Sequence, residues 1–171
     1  MKLFTPLLAA LALTAHFALA ASVVVDNFSD QDGTNNLGLR RSGKQYDLRK
    51  GSVFIKNRGE FTEEIAGKKQ CFDLRRKRLR FCYDAERNME VKVRFAFHKK
   101  GCKEDGKLDN SEVTLKLTKG SGELFVDADD FDGAKLRNGE AFTWDPSHEF
   151  NLRDITIEDG GRDPRPEPTV R

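Results

Sequence analysis

The sequence predicts an all-β protein, an antiparallel β-sandwich or jelly roll. Apolar residues recur in twos, short clusters of Gly, Asn and Asp separate the alternating segments, and no segment carries a sustained helical stripe. Val91, Val93, Phe95 and Phe97 alternate with Lys92, Arg94 and Ala96, and Val113, Leu115 and Leu117 alternate with Thr114 and Lys116. Such alternation describes strands buried on one face only.

Further strands follow in order. Residues 22–27 open the domain with a β-branched run, residues 51–56 follow a turn, residues 123–126 and 141–144 are short, and residues 150–158 close it. Breakers fall at Asp32-Gly33, 36–38, 57–59, 103–110, 119–122 and Asp132-Gly133. Turns at that spacing suit two packed sheets.

The ends of the chain read differently. Lys2, the apolar run 3–13 and Ala18-Leu19-Ala20 have the layout of a secretory signal peptide over residues 1–20. The run is too short for a bilayer span, so a secreted, extracellular protein without a membrane anchor is expected. Residues 21–159 form one domain, and residues 160–171, with Pro164, Pro166 and Pro168, form a flexible tail. The formal charge of +2 falls to +1 without Lys2, so net charge selects no partner class.

The three cysteines, Cys71, Cys82 and Cys102, leave one thiol over after a single bond. Residues 71–82 are nearly palindromic. Folded as a hairpin about 75–78, they set Phe72 against Phe81, Leu74 against Leu79, Asp73 against Arg80 and Cys71 against Cys82. A Cys71–Cys82 disulfide is therefore expected, with a Cys82–Cys102 bond as the alternative.

Two segments carry a family resemblance. Residues 23–30, Val-Val-Val-Asp-Asn-Phe-Ser-Asp, followed by Asn35-Asn36-Leu37-Gly38, resemble the opening strand of galactose-binding-like jelly rolls, and residues 150–158 resemble their closing strand. The resemblance implies a β-sandwich that acts as a noncatalytic carbohydrate-binding module, its first and last strands side by side. Those modules carry an aromatic soon after the Asn-Leu-Gly turn; here Leu39-Arg40-Arg41 follows, and the first aromatic is Tyr46. In general make-up the chain is also similar to the secreted effector or elicitor proteins of filamentous fungi.

Three constellations are candidates for chemistry. Arg75, Arg76, Lys77 and Arg78, with Arg80 close by, make the densest positive patch. They could hold an anionic polysaccharide through charge-assisted hydrogen bonds, or serve only as a charged strand edge. Export disfavours nucleic acid; a glycan or a host protein is the expected partner. The dibasic Arg40-Arg41 reads as an exposed processing site. Asp127 and Asp129, within a run of acids, could bind calcium, and so could Asp26 with Glu158 across adjoining end strands. Turn chemistry accounts for the same acids. Tyr46 and Tyr83 are candidates for stacking on sugar rings, with Trp144 expected in the core. The alternative function, a small ribonuclease-like hydrolase, would use His98 with a Glu or with His148.

Overall fold

The computed structural model describes residues 22–67, 70–102 and 107–160, and nine antiparallel strands occupy most of these described residues. The expected signal peptide, Lys68, Lys69 and the tail beyond Gly160 lie outside the described residues. The strands are β1 Val23–Asp26, β2 Arg41–Arg49, β3 Ser52–Glu64, β4 Lys77–Ala85, β5 Met89–His98, β6 Leu108–Leu117, β7 Gly120–Asp127, β8 Gly139–Pro146 and β9 Phe150–Asp159. Two one-turn 3-10 helices, Ala128–Asp130 and Leu136–Asn138, bridge β7 to β8.

The order β6-β5-β8-β3-β9-β4-β7 runs through β3, which belongs to two layers. Its C-terminal half pairs with β8, Phe61 opposite Trp144, and its N-terminal half pairs with β9, Val53 opposite Leu152. The β2–β3 hairpin turns between the layers where its register slips between Lys44 and Tyr46. Gly59 is required at this bend: a Cβ there would lie 2.7 Å from the Gln45 carbonyl oxygen.

One layer is thus β6-β5-β8 with the far half of the hairpin. The other is β7-β4-β9 with β1 and the near half. Period-two alternation points Val91, Val93, Phe95, Phe142 and Trp144 of the first layer at Leu79, Phe81, Val126, Leu152 and Ile157 of the second, all of them buried. Phe81 meets Trp144 edge-on across the gap, 6.0 Å between ring centres. Trp144 is in the core, as expected. β1 lies antiparallel beside β9, Val23 opposite Ile157, so the first and last strands do adjoin.

The strand β2 was not foreseen. Its residues, Arg-Ser-Gly-Lys-Gln-Tyr-Asp-Leu-Arg, have no alternation strong enough to read, and it is held by its long partner β3.

The expected hairpin at 71–82 is corrected. β4 already pairs with β7 along one edge and β9 along the other, which leaves no edge for residues 71–74. They run beside 136–139 instead: Phe72 and Gly139 exchange backbone hydrogen bonds of 2.9 and 3.0 Å, and the Leu74 N–H donates to the Leu136 carbonyl. Cys71 therefore bonds Cys102, not Cys82, with 5.6 Å between their Cα atoms. Cys82 sits mid-strand on the outer face of β4 as a half-buried free thiol, its pKa pushed up by burial. The apolar half of the expectation holds, since Leu74, Leu79 and Phe81 all enter the core.

Candidate functional site

The outer face of the β6-β5-β8-β3-β2 layer is a polar platform. Where inward side chains are apolar, the alternate positions put Glu112, Arg94, Thr143, Thr62 and Ser42 in one register row across five strands. At about 4.8 Å per strand the row is about 19 Å long. Thr114, Lys92 and Asp145 start a parallel row that Glu60 and Lys44 continue. No outward position of this layer holds Phe, Tyr or Trp among the described residues.

Side chains on this face bond to one another. Arg94 donates to Glu60 Oε2 at 3.0 Å and lies 4.0 Å from Asp145. Lys44 approaches Glu60 at 3.8 Å, and Lys92 approaches Glu112 at 3.4 Å. The hydroxyls of Thr62 and Thr143 are 2.8 Å apart, with Arg94 opposite Thr143 on the next strand. Exposed ion pairs of this kind contribute only about 0–1 kcal/mol each to stability. Their arrangement places carboxylates, cations and hydroxyls side by side across the face, which suits a ligand rich in hydroxyl groups.

Beyond Ala96 and Ala141 the face ends at His98. Its Nε2 lies 3.0 Å from Glu140 Oε2, its Nδ1 is buried without a partner, and the Asn138 side chain donates to its carbonyl oxygen. The structure thus supplies the His–Glu pairing that hydrolysis would want. His98 itself is mostly buried, while the Glu140 side chain keeps partial contact with solvent. His148 lies in the turn after β8, beside Ser147, which bonds Glu90 at the opposite end of β5.

The basic patch is compensated by acids. Arg75 bonds Asp73, Lys77 bonds Asp159 at 2.7 Å, and Arg78 bonds Glu158 at 2.9 Å while its guanidinium covers the Phe125 ring. The hydrogen bond from Arg75 holds the Asp73 carboxyl at about 2. Arg76 stays exposed in a left-handed turn. Arg80 bonds Glu123 rather than Asp73.

The tyrosines are packed rather than displayed. Tyr83 is only 4% exposed, its hydroxyl bonded to Thr118 at 3.2 Å, and half-buried Tyr46 meets Phe61 edge-on at 5.1 Å. Among the described residues the exposed aromatic is Phe125, 43% accessible, which sequence reasoning did not single out.

Asp26 does not join Glu158. β1 and β9 adjoin, but Asp26 turns inward and Glu158 outward to Arg78. Arg41 donates from Nε and Nη2 to the two Asp26 oxygens and from Nη1 to the Asp30 carbonyl. Glu63 lies 3.8 Å from Arg41 and accepts from Asn35 Nδ2 at 3.0 Å. Burial, then the hydrogen bond and charge of Asp26, push the Glu63 pKa up to about 10, against the opposing pull of Asn35 and Arg41. Arg41 is accordingly buried, which also corrects the exposed Arg40-Arg41 processing site. Asp127 caps the first 3-10 helix, and Asp129 lies within it. Among the described residues no three His, Cys, Asp or Glu side chains gather into a metal-binding group.

Comparison with known proteins places this geometry. No protein-family model matches the chain, and no curated protein matches it significantly in sequence. A family 11 carbohydrate-binding module from Clostridium thermocellum, in complex with a beta-1,3-1,4-mixed-linked tetrasaccharide, matches 84% of this chain and 98% of its own with a TM-score of 0.54 at 10% identity. A family 29 carbohydrate-binding module complexed with mannohexaose matches 82% of this chain and 93% of its own, with a TM-score of 0.55 at 18% identity. The fold is the β-sandwich of carbohydrate-binding modules. Another family 11 module, of a Clostridium thermocellum cellulosomal cellulase, gives a TM-score of 0.51 at 13% identity over 84% of this chain and 97% of its own. The likeness to fungal effectors gains no support from these structures.

Proposed function

We propose that this chain is an exported, noncatalytic glycan-binding protein that holds a neutral oligosaccharide against the outer face of the β6-β5-β8-β3-β2 layer. The observation that carries the reading is the row Glu112, Arg94, Thr143, Thr62 and Ser42. It sets a carboxylate, a guanidinium and three hydroxyls in register across five strands. Interleaved opposite charges give the face no field to attract a polyanion, while each carboxylate and guanidinium can exchange its neighbour for a sugar hydroxyl. The fold is shared with modules complexed with a mixed-linked tetrasaccharide and with mannohexaose, which supports the same ligand class here. Export rests on the composition of residues 1–20.

Calorimetric titration with those two oligosaccharides tests the proposal. Binding of at least one is expected, and Arg94→Ala should weaken it by about tenfold or more through the loss of charge-assisted hydrogen bonds. Failure of both oligosaccharides to bind, or an Arg94→Ala variant that binds as the parent does, overturns it.

A further inference from the structure

The loop between β1 and β2 carries a triplet that glycan binding does not use. Asn27-Phe28-Ser29 has the spacing Asn-x-Ser/Thr, and no other asparagine of the sequence has Ser or Thr two residues on. Secretory cells read that triplet as the acceptor for Asn-linked glycosylation, where it stands on a surface loop of an exported chain. The spacing is common by chance, so the conformation of the loop has to decide whether this amide can carry a sugar.

Asn27 and Ser29 are both exposed, whereas Phe28 between them is fully buried. Phe28 anchors the loop. Its ring packs against Phe61 at 5.9 Å between centres and lies under the Arg41 guanidinium, its N–H donates to Asp26 Oδ1 at 2.7 Å, and its carbonyl accepts from the Gly51 N–H at 2.9 Å. The Ser29 N–H donates to Asn27 Oδ1 at 3.0 Å, which closes an Asx turn across the triplet. This bond fixes the orientation of the amide: Oδ1 is engaged with the backbone, and Nδ2 meets no acceptor among the described residues. The Asn27 N–H donates to Asn36 Oδ1 at 2.9 Å, so the turn stands on a fixed base.

We propose that Asn27 is the acceptor for an Asn-linked glycan, a modification that rests on the export reading and goes beyond glycan binding. The co-reactant is an oligosaccharide joined through its anomeric carbon to a polyprenyl diphosphate. Asn27 Nδ2 forms a bond to that carbon, and the bond from carbon to the diphosphate oxygen breaks. Polyprenyl diphosphate leaves with the bonding pair, the amide gives up one proton to a carboxylate of the transferase, and nothing is oxidised or reduced. The fold accommodates the product as it stands, because Nδ2 engages nothing that a sugar would displace and the anchoring contacts belong to Phe28 and the backbone.

The test is expression of the chain in a eukaryotic secretory cell, once with its own residues 1–20 and once with a leader of proven export in their place. Intact mass and peptide maps of exported and retained protein are read before and after an amidase that releases Asn-linked glycans. The expected product is a heavier protein whose extra mass the amidase removes, leaving aspartate at position 27. Ser29→Ala should abolish the modification, and because position 29 keeps its backbone N–H, the thermal midpoint of the unglycosylated protein should stay unchanged. Ser29→Thr should retain the glycan. An unmodified Asn27 in the chain exported by the proven leader, or a glycan that survives Ser29→Ala, overturns the site. Failure of residues 1–20 to export the chain overturns the export reading and the modification with it, while oligosaccharide titration still judges the polar face.

Discussion

Arg41 presents Nε and Nη2 to the two carboxylate oxygens of Asp26, at 2.5 and 2.7 Å, and neither side chain has appreciable contact with solvent. The pair joins the start of β2 to the end of β1, and Nη1 fastens the intervening loop through the Asp30 carbonyl. Removing one member leaves a buried charge without compensation, which costs far more than the pair itself contributes. Arg41→Ala should lower stability by about 3–5 kcal/mol. A combined Asp26→Leu/Arg41→Met variant should lose much less. Urea unfolding of the two variants, read at equal m-value, checks the order.

Glu63 ties the stability of the fold to pH. Its folded pKa of about 10 lies above its ordinary value of 4.5, so the folded protein holds a proton that the unfolded chain has released between those values. Stability from this group is fully present below about pH 4.5 and declines as pH rises toward 10. Glu63→Gln keeps a neutral side chain able to accept from Asn35, and should flatten the decline in thermal midpoint between about pH 5 and pH 9. A parent midpoint that rises over this range would contradict the buried proton.

The covalent link is testable by peptide mapping, which should recover Cys71 joined to Cys102 and a free thiol at Cys82. With a sequence separation of 31 between the partners, the chain-entropy relation puts the bond at about 4 kcal/mol. Cys71→Ser should therefore destabilise strongly. Cys82→Ser, on an outer strand face, should have little effect.

Alternation made the core strands legible because burial on one face imposes a period of two, and Val91 to Phe97 show it without interruption. The pairing of strands was less legible. Residues 71–82 satisfy a local hairpin in apolarity, charge and cysteine spacing, yet β7 and β9 occupy both edges of β4, a fact set by pairings such as Ala85 with Gly120 and Lys77 with Asp159, far apart in the chain. The candidate face was hidden for a related reason. Arg94, Thr143, Thr62 and Glu60 each read as the ordinary polar half of a strand, and only register across three strands assembles them. Asp26 read as an exposed ligand because its partner Arg41, taken alone, looked like half of a dibasic loop.

Salt distinguishes the polar face from the basic strip. A neutral oligosaccharide releases few counterions, so its affinity should change little as salt is raised, whereas an anionic polymer held by several cations would lose affinity steeply. On the strip, Asp73, Asp159 and Glu158 already compensate Arg75, Lys77 and Arg78. A polyanion would have to displace those carboxylates or compete with them. Replacing Arg75, Arg76, Lys77 and Arg78 by serine should accordingly leave tetrasaccharide binding within about twofold of the parent. It should lower stability slightly, chiefly through the Arg78 guanidinium that covers Phe125. Titration of the parent and the serine variant at low and high salt, with the tetrasaccharide and with a polygalacturonate in parallel, reads both sites. Tight, salt-sensitive polygalacturonate binding that the serine variant loses would transfer the binding function to the strip.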